Sequence, residues 1–254
     1  MKNILAKREL NKLGQFVDPE TLIAFDFDGT LAPLARDPRA AQLRKSTLRL
    51  LTRLAQRYPT VVISGRPRAD VLARLNGVPV RAVIGNHGLE PSPDAARYHG
   101  LVKKWLPQLR EALSGIHGLE LENKLYSISI HYRRARGRAA ARTAIGNAVQ
   151  ALGEEARIVD GKLVVNILPS NAPNKGSALQ DIRTAMAAKH TVFVGDDVTD
   201  EDVFAANQPQ QLLGIRVGRA PASGASHYLA KQADIDHLLK RLLELSAVND
   251  NAGE

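Results

Sequence analysis

Leu22-Ile23-Ala24-Phe25-Asp26-Phe27-Asp28-Gly29-Thr30-Leu31 joins a run of four apolar residues to two carboxylates at i and i+2 and a Gly-Thr turn. A short, uniformly apolar run reads as a parallel strand buried on both faces. Carboxylates at its exit lie where open α/β sheets bind ligands, beyond the carboxyl ends of the strands. Four further runs share the pattern: Val61-Val62-Ile63, Ala82-Val83-Ile84, Thr191-Val192-Phe193-Val194 and residues 212–217. Between them, residues 46–57 carry Leu48, Leu51, Leu54 and Ala55 at helical spacing, and residues 234–245 repeat Ile235, Leu238, Leu239 and Leu242 on one face. This alternation predicts an α/β core with a doubly wound, Rossmann-like parallel sheet.

The middle of the chain reads differently. Tyr126-Ser127-Ile128-Ser129-Ile130-His131-Tyr132-Arg133 alternates apolar and polar positions, which predicts a half-exposed strand. Its polar face, Ser127, Ser129, His131 and Arg133, is expected to be open to ligand. Asp160-Gly161 between two β-prone stretches is a hairpin signal. Helices are expected around residues 101–113 and 139–152. Together these predict an inserted α+β cap with at least three antiparallel strands at residues 95–168, within a core formed by residues 1–94 and 169–254.

Composition narrows the class. Of 254 residues, 44% are hydrophobic and 24% charged, which is ordinary globular usage and argues against disorder, collagen and coiled coil. No apolar run approaches the roughly 20 residues of a membrane helix, and the opening Met1-Lys2-Asn3-Ile4-Leu5-Ala6-Lys7-Arg8 is charged again before a leader could form. The absence of cysteine excludes disulfides, thiolate metal sites and a Cys nucleophile, and a cytoplasmic location is expected. The net charge of +9 is concentrated in residues 95–142, where ten basic residues face three acidic ones. Aromatics are only 4% and show no base-stacking motif, so neither nucleic acid nor membrane is expected as a partner. A monomer is the expectation for the oligomeric state.

Chemistry concentrates at the ends of the predicted strands. Gly195-Asp196-Asp197-Val198-Thr199-Asp200-Glu201-Asp202 places five acids in seven residues, a crowding that calls for a cation or a helix N-terminus. Thr199 with Asp202 reads as a helix cap, which leaves Asp196 and Asp197 unexplained. A hard cation held by Asp196 and the Asp26-Asp28 turn accounts for them, and so few carboxylates suit Mg²⁺. Ser64-Gly65-Arg66 offers a hydroxyl and backbone N–H groups to a phosphoryl oxygen, with a helix cap as the ordinary alternative. Asn174-Lys175-Gly176-Ser177 opens a helix with a lysine beside its positive end.

The set Asp26-Phe27-Asp28-Gly29-Thr30, Ser64, Lys175 and Gly195-Asp196-Asp197 resembles the four motifs of the haloacid dehalogenase-like phosphohydrolases. Thirty-three residues separate Thr30 from Ser64 and 110 separate Ser64 from Lys175, so the insertion resembles a type C2 cap. Within that superfamily the chain is similar to the trehalose-6-phosphate phosphatase family, through Ser64-Gly65-Arg66, Gly85-Asn86-His87-Gly88-Leu89-Glu90, Glu122-Asn123-Lys124, His131-Tyr132-Arg133 and Gly195-Asp196-Asp197-Val198-Thr199-Asp200-Glu201. The resemblance implies Asp26 as nucleophile and Asp28 as general acid and base. It implies Thr30, Ser64, Gly65 and Lys175 at the phosphoryl group, and Mg²⁺ on Asp26, Asp28 through its carbonyl, and Asp196. Asp197 and Asp200 would orient metal-bound waters or stabilise the turn. Arg66, His87, Glu122, Lys124, His131, Arg133 and Asn166 would contact a sugar phosphate. One departure stands out: where the family has a Glu and then a basic residue before Pro, this chain reads Val165-Asn166-Ile167-Leu168-Pro169. Another glycosyl phosphate, of sucrose, glucosylglycerol or mannosylglycerate type, is therefore the first alternative. A basic nucleic-acid-binding module on an inactive hydrolase core is the second, and the intact Asp26/Asp28 pair argues against it.

Overall fold

The structure is a computed structural model that describes residues 1–35, 37–206 and 210–252. Its strands are β1 (Lys2–Asn3), β2 (Leu22–Phe25), β3 (Thr60–Ile63), β4 (Ala82–Ile84), β5 (Glu120–Asn123), β6 (Ile128–His131), β7 (Ala156–Gly161), β8 (Val164–Pro169), β9 (Thr191–Gly195), β10 (Leu212–Val217) and β11 (His227–Leu229). The α-helices are α1 (Lys7–Phe16), α2 (Lys45–Ala55), α3 (Arg68–Leu75), α4 (Ala95–Ala112), α5 (Arg138–Gln150), α6 (Lys175–Ala185), α7 (Glu201–Ala206) and α8 (Ile235–Ala252).

Seven strands form one sheet in the order β1-β11-β10-β9-β2-β3-β4, every pair parallel. Alternate residues of β2 serve opposite faces. Ile23 and Phe25 join a core with Leu13 of α1, Leu51 and Leu54 of α2 and Leu238 and Leu242 of α8. Leu22 and Ala24 join Ala178 and Leu179 of α6 and Val203 and Phe204 of α7. Each such fully buried Leu, Ile or Phe contributes about 1.5–3 kcal/mol. The chain winds outward from β2 through β3 and β4, then returns to β9 on the other side of β2 and continues to β11. The switch point is thus the β2/β9 junction, where a crevice opens beyond the carboxyl ends of the strands.

The five strands expected from uniform apolar runs are all in this sheet. Two more, β1 and β11, extend one edge, and at two and three residues they are too short to carry a periodicity.

Residues 95–169 build a second sheet, antiparallel, in the order β5-β6-β8-β7, with α4 and α5 packed on it around the fully buried Trp105. Three details differ from expectation. The alternating strand is shorter, and its serines are not open: Ser127 and Ser129 are as buried as Ile128 and Ile130, because their face is covered by polar partners. Asp160-Gly161 ends β7 rather than forming the turn, which is Lys162-Leu163 with Leu163 at φ 62°. The edge strand β5, Glu120-Leu121-Glu122-Asn123, had no apolar run to announce it. Among the described residues no helix is long and apolar enough to cross a membrane.

Candidate active site

Pairing of Phe25 with Val194 brings the ends of β2 and β9 together, so Asp26 and Asp196 leave the sheet side by side. Lys175 opens α6 there and is 2% exposed. Its Nζ donates to Asp26 Oδ1 and to Asp200 Oδ1, each at 2.7 Å. The helix starts at this point because Asn174 caps it: Asn174 Oδ1 accepts the Ser177 N–H at 2.9 Å, and Ser177 Oγ accepts the Asn174 N–H at 3.0 Å. Asp200, fully buried, accepts the N–H groups of Asp196 and Asp197 on Oδ2 at 2.8 and 2.9 Å. Capping of the acidic turn therefore belongs to Asp200 with Asp197, not to Thr199 with Asp202. A Cβ at Gly195 would lie 2.4 Å from Asp200 Cγ, so only glycine admits this carboxylate.

Burial holds the Asp26 carboxyl well above its ordinary value, and the neighbouring Asp200 and Asp196 add to the effect against Lys175. Burial, then Asp200 and Asp197, push Asp196 up to about 7. For Lys175, burial alone would lower the pKa, but Asp200 and Asp26 raise it, so the ammonium stays charged. Carboxylate oxygens of Asp26, Asp196 and Asp200 lie within 4.8 Å of one another. Three carboxylates against one ammonium leave this cluster short of positive charge, and a divalent oxygen-seeking cation fits that deficit. Asp28 is not in the cluster: its carboxylate turns to Arg66. Thr30 is fully buried, with its Oγ1 3.5 Å from Asp196 Oδ1.

Arg66 donates to both oxygens of Asp28, through Nε at 2.6 Å and Nη2 at 2.7 Å, and its Nη1 donates to Asp70 at 2.8 Å. Ser64 is 1% exposed and accepts the Arg66 N–H on its Oγ at 3.2 Å. His87, in a left-handed conformation at φ 60°, packs on Gly65, where a Cβ would sit 2.4 Å from the ring. Both nitrogens of the His87 ring are buried without a hydrogen-bond partner. Burial, with Lys124 and Lys175 nearby, holds the imidazole well below its ordinary pKa, so it is neutral.

The second sheet reaches this site through the β5–β6 turn. Lys124 Nζ donates to the Gly65 carbonyl at 3.2 Å, and burial lowers its pKa. Glu122 and His131 pair at 3.0 Å, and the hydrogen bond from His131 keeps Glu122 below the usual carboxylate range. Asn166 is 4% exposed, and both ends of its amide are used: Oδ1 accepts from Ser129 Oγ at 2.6 Å and Nδ2 donates to the Val159 carbonyl at 3.3 Å. Arg133 lies exposed in the turn after β6. A cleft of about 360 Å³ separates Asp196, Asp197, Val198 and Arg216 from the β7–β8 tip, with Lys162 and Leu34 on its walls. A larger cavity of about 720 Å³ lies at the amino ends of the strands, around Tyr58 and Arg81, away from every group above.

Several residues of the site escaped the sequence reading. Asn86 bridges the two sheets: Nδ2 donates to the Lys124 carbonyl at 3.1 Å and Oδ1 accepts from Ser127 Oγ at 3.1 Å. Gln232 holds the turn after Asp28 by donating to the Thr30 and Leu31 carbonyls at 2.8 and 3.1 Å. Asp70 and Arg74, one helical turn apart on α3, carried the signal of an i,i+4 pair.

A doubly wound sheet with this acidic switch point, and an α+β unit inserted between its halves, defines a haloacid dehalogenase-like hydrolase fold, and solved structures share it. The C. albicans trehalose-6-phosphate phosphatase C-terminal domain superposes with a TM-score of 0.77 at 20% identity, covering 97% of this chain and 98% of that one. The family model for Trehalose-phosphatase matches residues 24–236, and the chain belongs to that family. Trehalose-phosphate phosphatase of Mycobacterium avium (strain 104) is 34% identical over 214 residues, 77% of this chain and 53% of the relative. Aspergillus fumigatus trehalose-6-phosphate phosphatase (crystal form 3) shows 25% identity and a TM-score of 0.66, covering 98% of this chain and 100% of its own. The chain spans about half the length of the curated relatives it matches.

Proposed function

We propose that this protein is a Mg²⁺-dependent phosphatase that hydrolyses trehalose 6-phosphate to trehalose and phosphate through an aspartyl-phosphate on Asp26. The observation that carries this reading is the buried Lys175 ammonium, shared at 2.7 Å between Asp26 and Asp200 at the switch point of a trehalose-phosphatase family member. Lys175 binds Oδ1 of Asp26 and leaves Oδ2 to attack phosphorus. As the Asp26–phosphorus bond forms and the bond from phosphorus to the sugar oxygen breaks, Asp28, having taken up a proton from solvent on an oxygen turned away from Arg66, gives that proton to the sugar oxygen. The Asp28 carboxylate then takes a proton from water, whose oxygen attacks phosphorus and frees Asp26 and phosphate. Thr30, Ser64, the Gly65 backbone and Lys175 hold the phosphoryl oxygens, and charge stabilisation of this kind supplies the largest part of the rate. Mg²⁺ on Asp26, Asp196 and the Asp28 carbonyl would neutralise charge on the transferring group, and Asp197 and Asp200 keep the acidic turn in place.

Residues 1–94 and 169–254 serve as the hydrolase core and residues 95–168 as a cap that selects the sugar. Glu122, Lys124 and His131 face the substrate from the cap, with His87 and Arg66 from the core. The orphaned nitrogens of His87 are what a sugar hydroxyl would satisfy. The protein acts as a monomer in the cytoplasm, on a small sugar phosphate.

A second reading, another glycosyl phosphate, rests on Asn166. Its amide bonds Ser129 and Val159 within the cap where the family has a carboxylate, and Leu168 beside it is buried against Leu89 and Tyr98, so Leu168 presents no polar group to glucose. Phosphate release from trehalose 6-phosphate, glucose 6-phosphate and sucrose 6-phosphate, with Mg²⁺, with chelator and with Asp26→Asn, tests both. Preferential Mg²⁺-dependent release from trehalose 6-phosphate that Asp26→Asn abolishes is expected. Release from another ester alone would keep the chemistry and replace the sugar. No metal-dependent release from any ester would overturn the phosphatase.

A further inference from the structure

Asp28 is tied into a chain of charges that the reaction scheme leaves unused. The Arg66 guanidinium covers both Asp28 oxygens and rests its Cζ 5.8 Å from the centre of the Phe27 ring. Its remaining nitrogen goes to Asp70 Oδ2 at 2.8 Å. Asp70 also accepts Arg74 Nε on both oxygens, at 3.0 Å each. Arg74 in turn donates Nη1 to the Ala41 carbonyl and Nη2 to the Arg39 carbonyl, the latter at 3.1 Å, on the loop that follows the Asp28 turn. One carboxylate thus fixes two guanidiniums, one reaching Asp28 and the other pinning the segment downstream of it. The helix dictates the Asp70–Arg74 pairing, since the two lie at i and i+4 on α3, and Arg66 reaches Asp70 from the turn just before that helix. Although burial alone would raise it, hydrogen bonds from Arg74 and Arg66 hold Asp70 below the usual carboxylate range. It is therefore an anion, as bidentate pairing requires.

We propose that Asp70 is a positioning residue for the reaction: by anchoring Arg66 and Arg74 together it sets the orientation in which Asp28 meets the leaving sugar oxygen. This rests on the phosphatase reading above. Held from behind by Asp70, the Arg66 guanidinium presents a steady fork, and the Asp28 carboxyl stays aligned through one oxygen on that fork when the other turns to the sugar oxygen with its proton. Displacement of a reacting group by about 1 Å costs on the order of 100-fold, so this support acts on rate without touching substrate.

Asp70→Asn is the variant that tests it, because an amide keeps the shape but can accept on one side only and turns donors toward the other guanidinium. With folding checked by thermal melting, kcat/KM for the sugar phosphate is expected to fall about 10- to 100-fold. For p-nitrophenyl phosphate, whose leaving group departs without a proton, the expected fall is under about 3-fold, because proton donation contributes little to its rate. In an Asp28→Asn background the substitution should add no further loss, since the two residues act as one unit. Equal losses on both substrates, or an undiminished additional loss in the Asp28→Asn background, would overturn the proposal. A crystal structure of D70N judges the geometry independently of any activity. Arg66 is expected to release at least one Asp28 oxygen, and an unchanged Arg66–Asp28 fork would sink the idea. Wild-type protein that releases phosphate from no ester would refute the phosphatase reading, and the D70N crystal would then decide the geometric claim alone.

Discussion

At the carboxyl ends of the core strands, Lys175, Asp26 and Asp200 are buried and joined by two bonds of 2.7 Å. On the cap, Glu122 and His131 pair at 3.0 Å with side chains 43% and 28% exposed. The core charges have no water to replace a lost partner, so their arrangement is fixed by mutual dependence. The cap charges can exchange partner for water, or for a sugar hydroxyl, at small cost. In the function proposed above, phosphoryl chemistry, which needs fixed groups, would sit on the first kind of construction, and sugar selection, which needs exchangeable groups, on the second.

The most severe test of this contrast is Asp26→Asn, which should lower phosphate release by about 10⁴-fold or more while leaving sugar binding measurable by calorimetry. Substantial residual turnover would remove Asp26 from the centre of the chemistry. Next is Lys175→Met, which strands two carboxylates in the core and should cost about 3–5 kcal/mol in urea unfolding besides activity. A loss no larger than that of an exposed pair would erase the distinction between core and cap. Glu122→Ala should lower the preference for the sugar ester over p-nitrophenyl phosphate by about 10-fold, on the scale of one lost charged hydrogen bond, with little change in melting temperature. An equal loss on both esters would refute its role in selection.

The smallest expected effect concerns pH. Asp196, pushed up to about 7 by burial, binds its proton more tightly in the fold than in the unfolded chain. The metal-free fold accordingly loses stability as pH rises from the ordinary aspartate range through 7. A cation that binds the ionised cluster should recover it, so Mg²⁺ should raise the melting temperature by a few degrees at pH 8 and by less at pH 5.5. A shift independent of pH would mean that the cation binds elsewhere.

The same contrast governs what was legible in the sequence. Uniform apolar runs such as Leu22–Phe25 announce buried parallel strands, and Asp26, Ser64 and Asp196 lie directly beyond three of them, so most of the candidate core site could be assembled from local pattern. In the cap, alternation suggested a face open to ligand, yet Ser127 and Ser129 are sealed by Asn86 and Asn166, 41 and 37 residues away in the chain. Local periodicity records which face is polar but not what covers it. The Asp28–Arg66 fork was likewise hidden, since its partners are 38 residues apart and each already had a role of its own. Asp70 and Arg74 could have been found from their spacing, but their purpose depends on that distant contact.

The two strands of backbone that join the cap to the core are not equivalent. On the return path, the Arg157 guanidinium of β7 grips the Ala172 and Pro173 carbonyls at 3.2 Å, and within two residues the chain enters the capped start of α6 at Lys175. On the outward path, residues 91–94 lead into α4, whose Asp94 N-cap makes no side-chain capping hydrogen bond. The β7–β8 side of the sheet is thus the more firmly tied to the core, and β5 lies at the opposite edge. Were the second sheet to turn about its β7–β8 side, Lys124 would move farthest and leave the Gly65 carbonyl, while Lys175 kept its place between Asp26 and Asp200.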